Sequence, residues 1–167
     1  RIISFHSKIE RAKYFASDHQ NIYGWVTDKE RPEGVLFSDY VSGKMSTGDR
    51  NKKIKRLKFI KDQERCLLSN ARCLGEGVDV PSLDGVAFID PKRSQIDIVQ
   101  AVGRAIRKSE DKKFGIIMIP VFIGNADDEE LSLNKSKFRP IWEVINAFKA
   151  HDNILSDELD QIRTELG

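Results

Sequence analysis

Gln100-Ala-Val-Gly-Arg-Ala-Ile-Arg107 is the stretch on which the rest of the chain turns. At 100° per residue, Gln100, Arg104 and Arg107 fall on one stripe of a helix, and Val99, Val102 and Ile106 on roughly the opposite side. The expected element buries a valine/isoleucine face and presents two guanidiniums beside a carboxamide. Gly103 costs such a helix about 1 kcal/mol relative to alanine, and a close backbone approach would explain it. Arginine suits bidentate contact with phosphate and neutralises charge during phosphoryl transfer. A surface helix with two solvated arginines would show the same spacing, so the neighbouring segments must decide.

Those neighbours alternate. Ile2–His6, Val35–Val41, Arg65–Asn70, Gly85–Asp90 and Phe114–Val121 read as short apolar strands. Ser7-Lys-Ile-Glu10 and Ser94-Gln-Ile-Asp97 read as capping boxes, the first opening a helix to about His19 and the second opening the arginine helix. Ser46-Thr-Gly-Asp49 caps a helix to about Lys61, with Ile54, Leu57 and Ile60 inward and Lys52, Lys53, Lys55, Arg56 and Lys58 around the rest. Asn21–Gly34 and Asn125–Glu130 read as irregular. Pro140 opens a helix with an apolar stripe at Phe138, Ile141, Trp142, Ile145 and Phe148, and a short final helix starts at Ser156. Near-continuous apolar strands alternating with helices predict an α/β fold. The sheet should be mainly parallel, with helices on both faces and a short C-terminal helical extension.

The 167 residues suffice for a substantial core, and no transmembrane span or signal peptide is visible. The start at Arg1, running straight into an apolar segment, reads as a piece cut from a longer protein. Cys66 and Cys73 are too few and too poorly spaced for a zinc site, so no metal site is expected. They read as buried small hydrophobes of a cytoplasmic protein. From Ala126 onward there are 10 acidic and 5 basic residues; the remainder holds 23 basic and 16 acidic. A basic body with an acidic tail suits a phosphate-bearing partner. Ser69-Asn70 closes an apolar strand at the edge where open α/β sheets place ligand groups. In Gly75-Glu-Gly-Val-Asp79 the glycines expose backbone N–H groups, and Asp79 is placed to bind a hydroxyl or to cap the next turn.

Four blocks in this order resemble the second RecA-like motor domain of superfamily-2 helicases and translocases. Phe5-His-Ser-Lys-Ile-Glu-Arg-Ala12 is similar to motif IV, Ser42-Gly-Lys-Met-Ser46 to motif IVa, Leu68–Pro81 to motif V and Gln100–Arg107 to motif VI. Motif VI begins with Gln100 where DEAD-box proteins carry a His-Arg pair. That and Gly-Glu-Gly-Val-Asp-Val-Pro place the resemblance nearer to restriction-type and repair-type DNA translocases. The resemblance implies a motor domain over residues 1–122 and an acidic loop with a helical extension over 123–167. It implies that Arg104 and Arg107 are arginine fingers toward ATP on a partner motor domain, with Gln100 completing that interface. Gly77 and Asp79 would lie near the ribose, and Ser7, Gly43, Ser69 and Asn70 would touch nucleic-acid phosphates, DNA rather than RNA. The sequence has no G-x-x-x-x-G-K-[ST] loop and no Asp-Glu-x-His magnesium motif. The family puts both in the first motor domain, so ATP and Mg2+ should be held mainly there and this piece alone should be inactive. The alternative expectation is an inactive nucleic-acid-binding or adaptor domain on a helicase-like fold.

Overall fold

The structure, a computed structural model, describes residues 1–31, 33–74, 83–107, 112, 114–121 and 129–151, with backbone alone at 20, 23, 129, 131 and 151. The chain forms two compact units. One joins Arg1–Pro91 to Gln100–Pro120; the other joins Lys92–Val99 to the chain from Val121 onward.

The first unit holds β1 (Ile2–His6), α1 (Ile9–Trp25), β2 (Val35–Ser42), α2 (Thr47–Lys58), β3 (Glu64–Ala71), β4 (Gly85–Phe88), the second half of α3 (Gln95–Ile106) and β5 (Ile116–Met118). Its five strands run in the order β2-β3-β1-β4-β5, and every pairing is parallel. Parallel neighbours need crossovers, and these are right-handed. The path from β1 outward to β2 then carries α1 over one face, and the return path to β3 carries α2 over the other.

The side chains agree. The His6 and Phe15 rings lie 5.0 Å apart, so α1 sits over the face bearing Ser4 and His6. The Arg56 guanidinium lies 3.9 Å from the centre of the Phe37 ring, and Lys53 pairs with Asp39, so α2 sits over the opposite face. The two faces differ in chemistry. The α1 face of the central strands presents Ser4, His6, Leu67, Ser69, Ala71 and Ala87, and the helix answers with buried Ala12 and Ala16. The opposite face presents Ile3, Phe5, Cys66, Leu68, Asn70, Val86 and Phe88 together with Val41, and α2, over β2 and β3, adds buried Ile54 and Leu57. Phe5 and Phe88 stack at 5.3 Å.

The second unit holds the first half of α3, α4 (Glu129–Lys135) and α5 (Arg139–His151). Pro140 stands in the first turn of α5, where its missing N–H costs nothing. Ser94 caps α3 by accepting from the Asp97 N–H at 3.3 Å, while the Asp97 carboxylate pairs with Lys92 at 3.1 Å.

Several expectations are corrected. Helix α1 continues six residues past His19 to Trp25 and takes up Gly24. Ser7 does not cap it: the N-cap is Lys8, without a side-chain cap bond, because an ionised carboxylate outcompetes the helix for the Ser7 hydroxyl. β5 is shorter than the apolar run around it, and Glu129-Glu130 opens a helix rather than closing a loop. The buried stripe of α3 is Ile98, Ala101, Val102 and Ala105; Val99 is 43% exposed, because positions i, i+3, i+4 and i+7 from Ile98 share a tighter arc. Residues 125–128 and the final helix expected at Ser156 lie outside the described residues.

The glycine expected to be crowded is not. A Cβ on Gly103 would meet nothing within 4 Å. One on Gly115 would lie 2.2 Å from the Ala105 carbonyl oxygen, since the segment entering β5 runs against the end of α3. The two should therefore part in a denaturant melt. Gly103→Ala is expected to raise stability by about 0.5–1 kcal/mol. Gly115→Ala is expected to lower it by about 2 kcal/mol or more, and equal midpoints would refute this packing.

Candidate nucleotide and nucleic-acid interface

The buried stripe of α3 leaves Gln100, Arg104 and Arg107 on its other side. Arg104 is half-buried and Arg107 exposed. Burial pulls the Arg104 pKa below the usual arginine range, and the Arg107 charge pulls it further. The Arg104 side chain on the helix and the Arg107 side chain just past its end therefore lie within reach of each other. Guanidiniums suit the oxygens of a phosphate. The Gln100 Oε1 is buried and has no hydrogen-bond partner among the described residues. It is an acceptor available to an incoming donor. The three residues that the spacing grouped are thus grouped in space, and the chemistry they offer fits the phosphates of a nucleotide. Among the described residues, no cluster of three His, Cys, Asp or Glu could hold a metal ion. Gly77 and Asp79 lie outside the described residues.

A second set of groups gathers at the C-terminal edge of the sheet, where all strands end together. Ser42 and His6 both pair with Ala71, so Gly43, Arg72 and Ser7 follow side by side. Gly43 is exposed, with open space where a side chain would be. Its backbone can be approached closely. Ser7 is not an open hydroxyl: its N–H and its O–H each donate to Asp90 Oδ2 at 2.8 Å, and Arg11 pairs with Asp90 Oδ1. Burial raises the Asp90 pKa, but the Ser7 bonds and the Arg11 charge outweigh it and leave the carboxyl below its ordinary value.

Ser69 and Asn70 are placed differently from a surface contact. Ser69 is 0% exposed and accepts from the Ser4 hydroxyl at 3.0 Å. Because Ser4 gives its one proton to Ser69, His6 Nε2–H donates to Ser4, and His6 Nδ1 is buried without a partner among the described residues. Burial holds the His6 pKa down, with Asp90 opposing and Arg11 assisting. Asn70 is 1% exposed, and its Oδ1 accepts from the backbone N–H of Cys73 at 3.1 Å and of Leu74 at 3.2 Å. These two side chains build the edge from within.

Sequence reasoning passed over Arg72. Exposed, it takes φ +60°, a left-handed conformation uncommon outside glycine, and stands between Gly43 and Ser7. No residue-type signal marks such a position; the Asn70 side chain that ties down the two residues after it is the only hint. Cys73 is no nucleophile, since burial pushes its thiol up to about 11.

The Asp90 clamp has a pH signature. A carboxyl with a depressed folded-state pKa stabilises fully above its unfolded value of about 3.9, and that contribution is lost as pH falls through the folded value. Asp90→Asn is expected to cost about 1–2 kcal/mol at pH 7 and to flatten the acid limb of stability below about pH 4. A variant whose acid limb overlays the parent's would remove Asp90 from that role.

Comparison with known proteins bears on what this arrangement belongs to. Residues 1–109 match the family described as helicase conserved C-terminal domain. The probable helicase of African swine fever virus (Badajoz strain, Vero-adapted) is 36% identical over 129 residues, 76% of this chain and 13% of that protein. A protein carrying a helicase name in Sulfolobus islandicus filamentous virus is 32% identical over 90 residues, 54% of this chain and 16% of that protein. Among solved structures, the ATP-dependent Type ISP restriction-modification enzyme LlaBIII bound to DNA aligns over 98% of this chain and 11% of its own, at 32% identity and TM-score 0.69. The chain therefore spans 11–16% of the length of these relatives. With its parallel five-stranded sheet, and with the motif blocks in order along residues 1–109, the chain belongs to the helicase conserved C-terminal domain family, as the second RecA-like domain of a superfamily-2 protein.

Proposed function

We propose that this chain is the C-terminal motor domain of an ATP-dependent helicase or translocase acting on DNA, with residues 1–122 as the motor and 123–167 as its extension. The observation that carries the reading is the pairing of Arg104 with Arg107 on the side of α3 away from its buried stripe. In this proposal the two guanidiniums reach the γ-phosphate of ATP held on the first motor domain. A magnesium ion held with that ATP on the first motor domain would supply charge neutralisation at the phosphates. Gln100 takes a donor at the same interface. Gly77 and Asp79, in the segment not described, are assigned to the ribose side. Supplying the cations from a second domain makes hydrolysis wait for closure, and closure moves the track.

The track is assigned to the C-terminal edge of the sheet. Open backbone at Gly43 and the guanidinium of Arg72 contact phosphates there, and Ser7, tied to Asp90, presents the start of α1. Ser69 and Asn70 contribute by holding that edge in shape. Phosphate contacts of this kind position a strand and read no sequence. DNA is favoured over RNA by the likeness to a DNA-bound restriction-modification enzyme.

The test is steady-state ATPase of the full-length protein without polymer and with duplex DNA, single-stranded DNA or RNA in turn. DNA is expected to stimulate, and Arg104→Ala to cut the stimulated kcat by about 10²–10³-fold or more. Hydrolysis unchanged in the variant would overturn the arginine assignment. Stimulation by RNA alone would overturn the choice of track.

A further inference from the structure

Lys112 is used by nothing argued so far, and its surroundings are specific. An ammonium has three N–H donors. Lys112 Nζ donates to the Leu83 carbonyl at 2.6 Å, to the Arg107 carbonyl at 3.0 Å and to the Ala105 carbonyl. Two of these acceptors are carbonyls at the end of α3, where a helix has no N–H of its own left to offer and carries its partial negative charge. The third belongs to Leu83, whose N–H in turn donates to the Arg104 carbonyl at 3.3 Å. The carbonyls of Arg104, Ala105 and Arg107 are thus all held by Leu83 or Lys112.

The point of attachment is itself fixed. Asp84, next in the chain, accepts from the Ile116 N–H at 2.9 Å, and Leu83 is fully buried. The end of the arginine helix is therefore hooked to the root of β4 through one side chain. We propose that Lys112 is a positioning residue for the arginine stripe: its ammonium fastens the last turn of α3 to Leu83 and so sets where Arg104 and Arg107 stand. The inference rests on the proposed role of those arginines. Burial lowers the Lys112 pKa below the ordinary lysine value, with the Asp84 charge opposing.

A simple structural cap would lower stability alone, and a double-mutant cycle separates the two. In the full-length protein, DNA-stimulated kcat and the KM for ATP are measured for Lys112→Met, Arg104→Ala and the double variant. Lys112→Met is expected to lower kcat about tenfold or more, the scale on which misplacing a reacting group acts, with KM little changed. In the Arg104→Ala background it is expected to lower kcat no further. Full activity of Lys112→Met beside an inactive Arg104→Ala would overturn the Lys112 assignment and leave the proposed function standing; so would the same loss in both backgrounds. An active Arg104→Ala would overturn both. Should Lys112→Met fail to fold by circular dichroism, Lys112→Arg decides. The wild-type kcat is expected to fall as pH rises through the lowered lysine pKa, and the arginine, which keeps its proton, is expected to move that fall upward. Coincident profiles would overturn the assignment.

Discussion

Parallel pairing is the constraint from which the rest of the molecule follows. A parallel strand cannot return by a hairpin, so each connection crosses a face of the sheet and brings a helix or a long segment with it. β1 pairs on both sides, with β3 and β4, and is therefore buried on every side. Because every strand points the same way, the residues that follow them emerge at one edge. Ser7, Gly43 and Arg72 come from far apart in the chain and are neighbours for that reason alone. A phosphate-binding edge in such a fold needs no dedicated element; it needs only short polar residues and a cation where strands stop.

The arginine helix depends on a different balance. Two guanidiniums on one stripe repel, and burial adds to the cost for Arg104. What keeps them in place is the opposite side of the helix, where Ile98, Ala101, Val102 and Ala105 are buried, and the carbonyl end held by Leu83 and Lys112.

Much of the fold was legible because the strands carry short apolar runs bounded by turn residues, most continuous in the strands at the centre of the sheet. Ile2–His6, Val35–Ser42 and Glu64–Ala71 were found nearly to the residue. The arginine stripe was legible because helical spacing is geometry. What was not legible depended on partners remote in sequence. Ser7 looks like a cap until Asp90, 83 residues away, takes its hydroxyl. Ser69 and Asn70 look like edge groups until Ser4 and the Cys73–Leu74 backbone claim them. Arg72 could not be found because a residue's φ follows from the loop around it, and Lys112 because three carbonyl partners leave no trace in composition.

The unlike faces of the sheet have a consequence for temperature. On the α2 side of the sheet the buried set is mainly apolar, with Asn70 among it and the Lys53–Asp39 pair beside it, and apolar burial is entropic near room temperature and weakens on cooling. On the α1 side the sheet is also held together by the Ser4–His6 and Ser4–Ser69 hydrogen bonds, whose favourable part is enthalpic. The sheet is thus held by two fastenings with opposite thermal habits. As the protein is cooled, the apolar side of the sheet weakens while the bonds that join β1 to β3 on the other side do not.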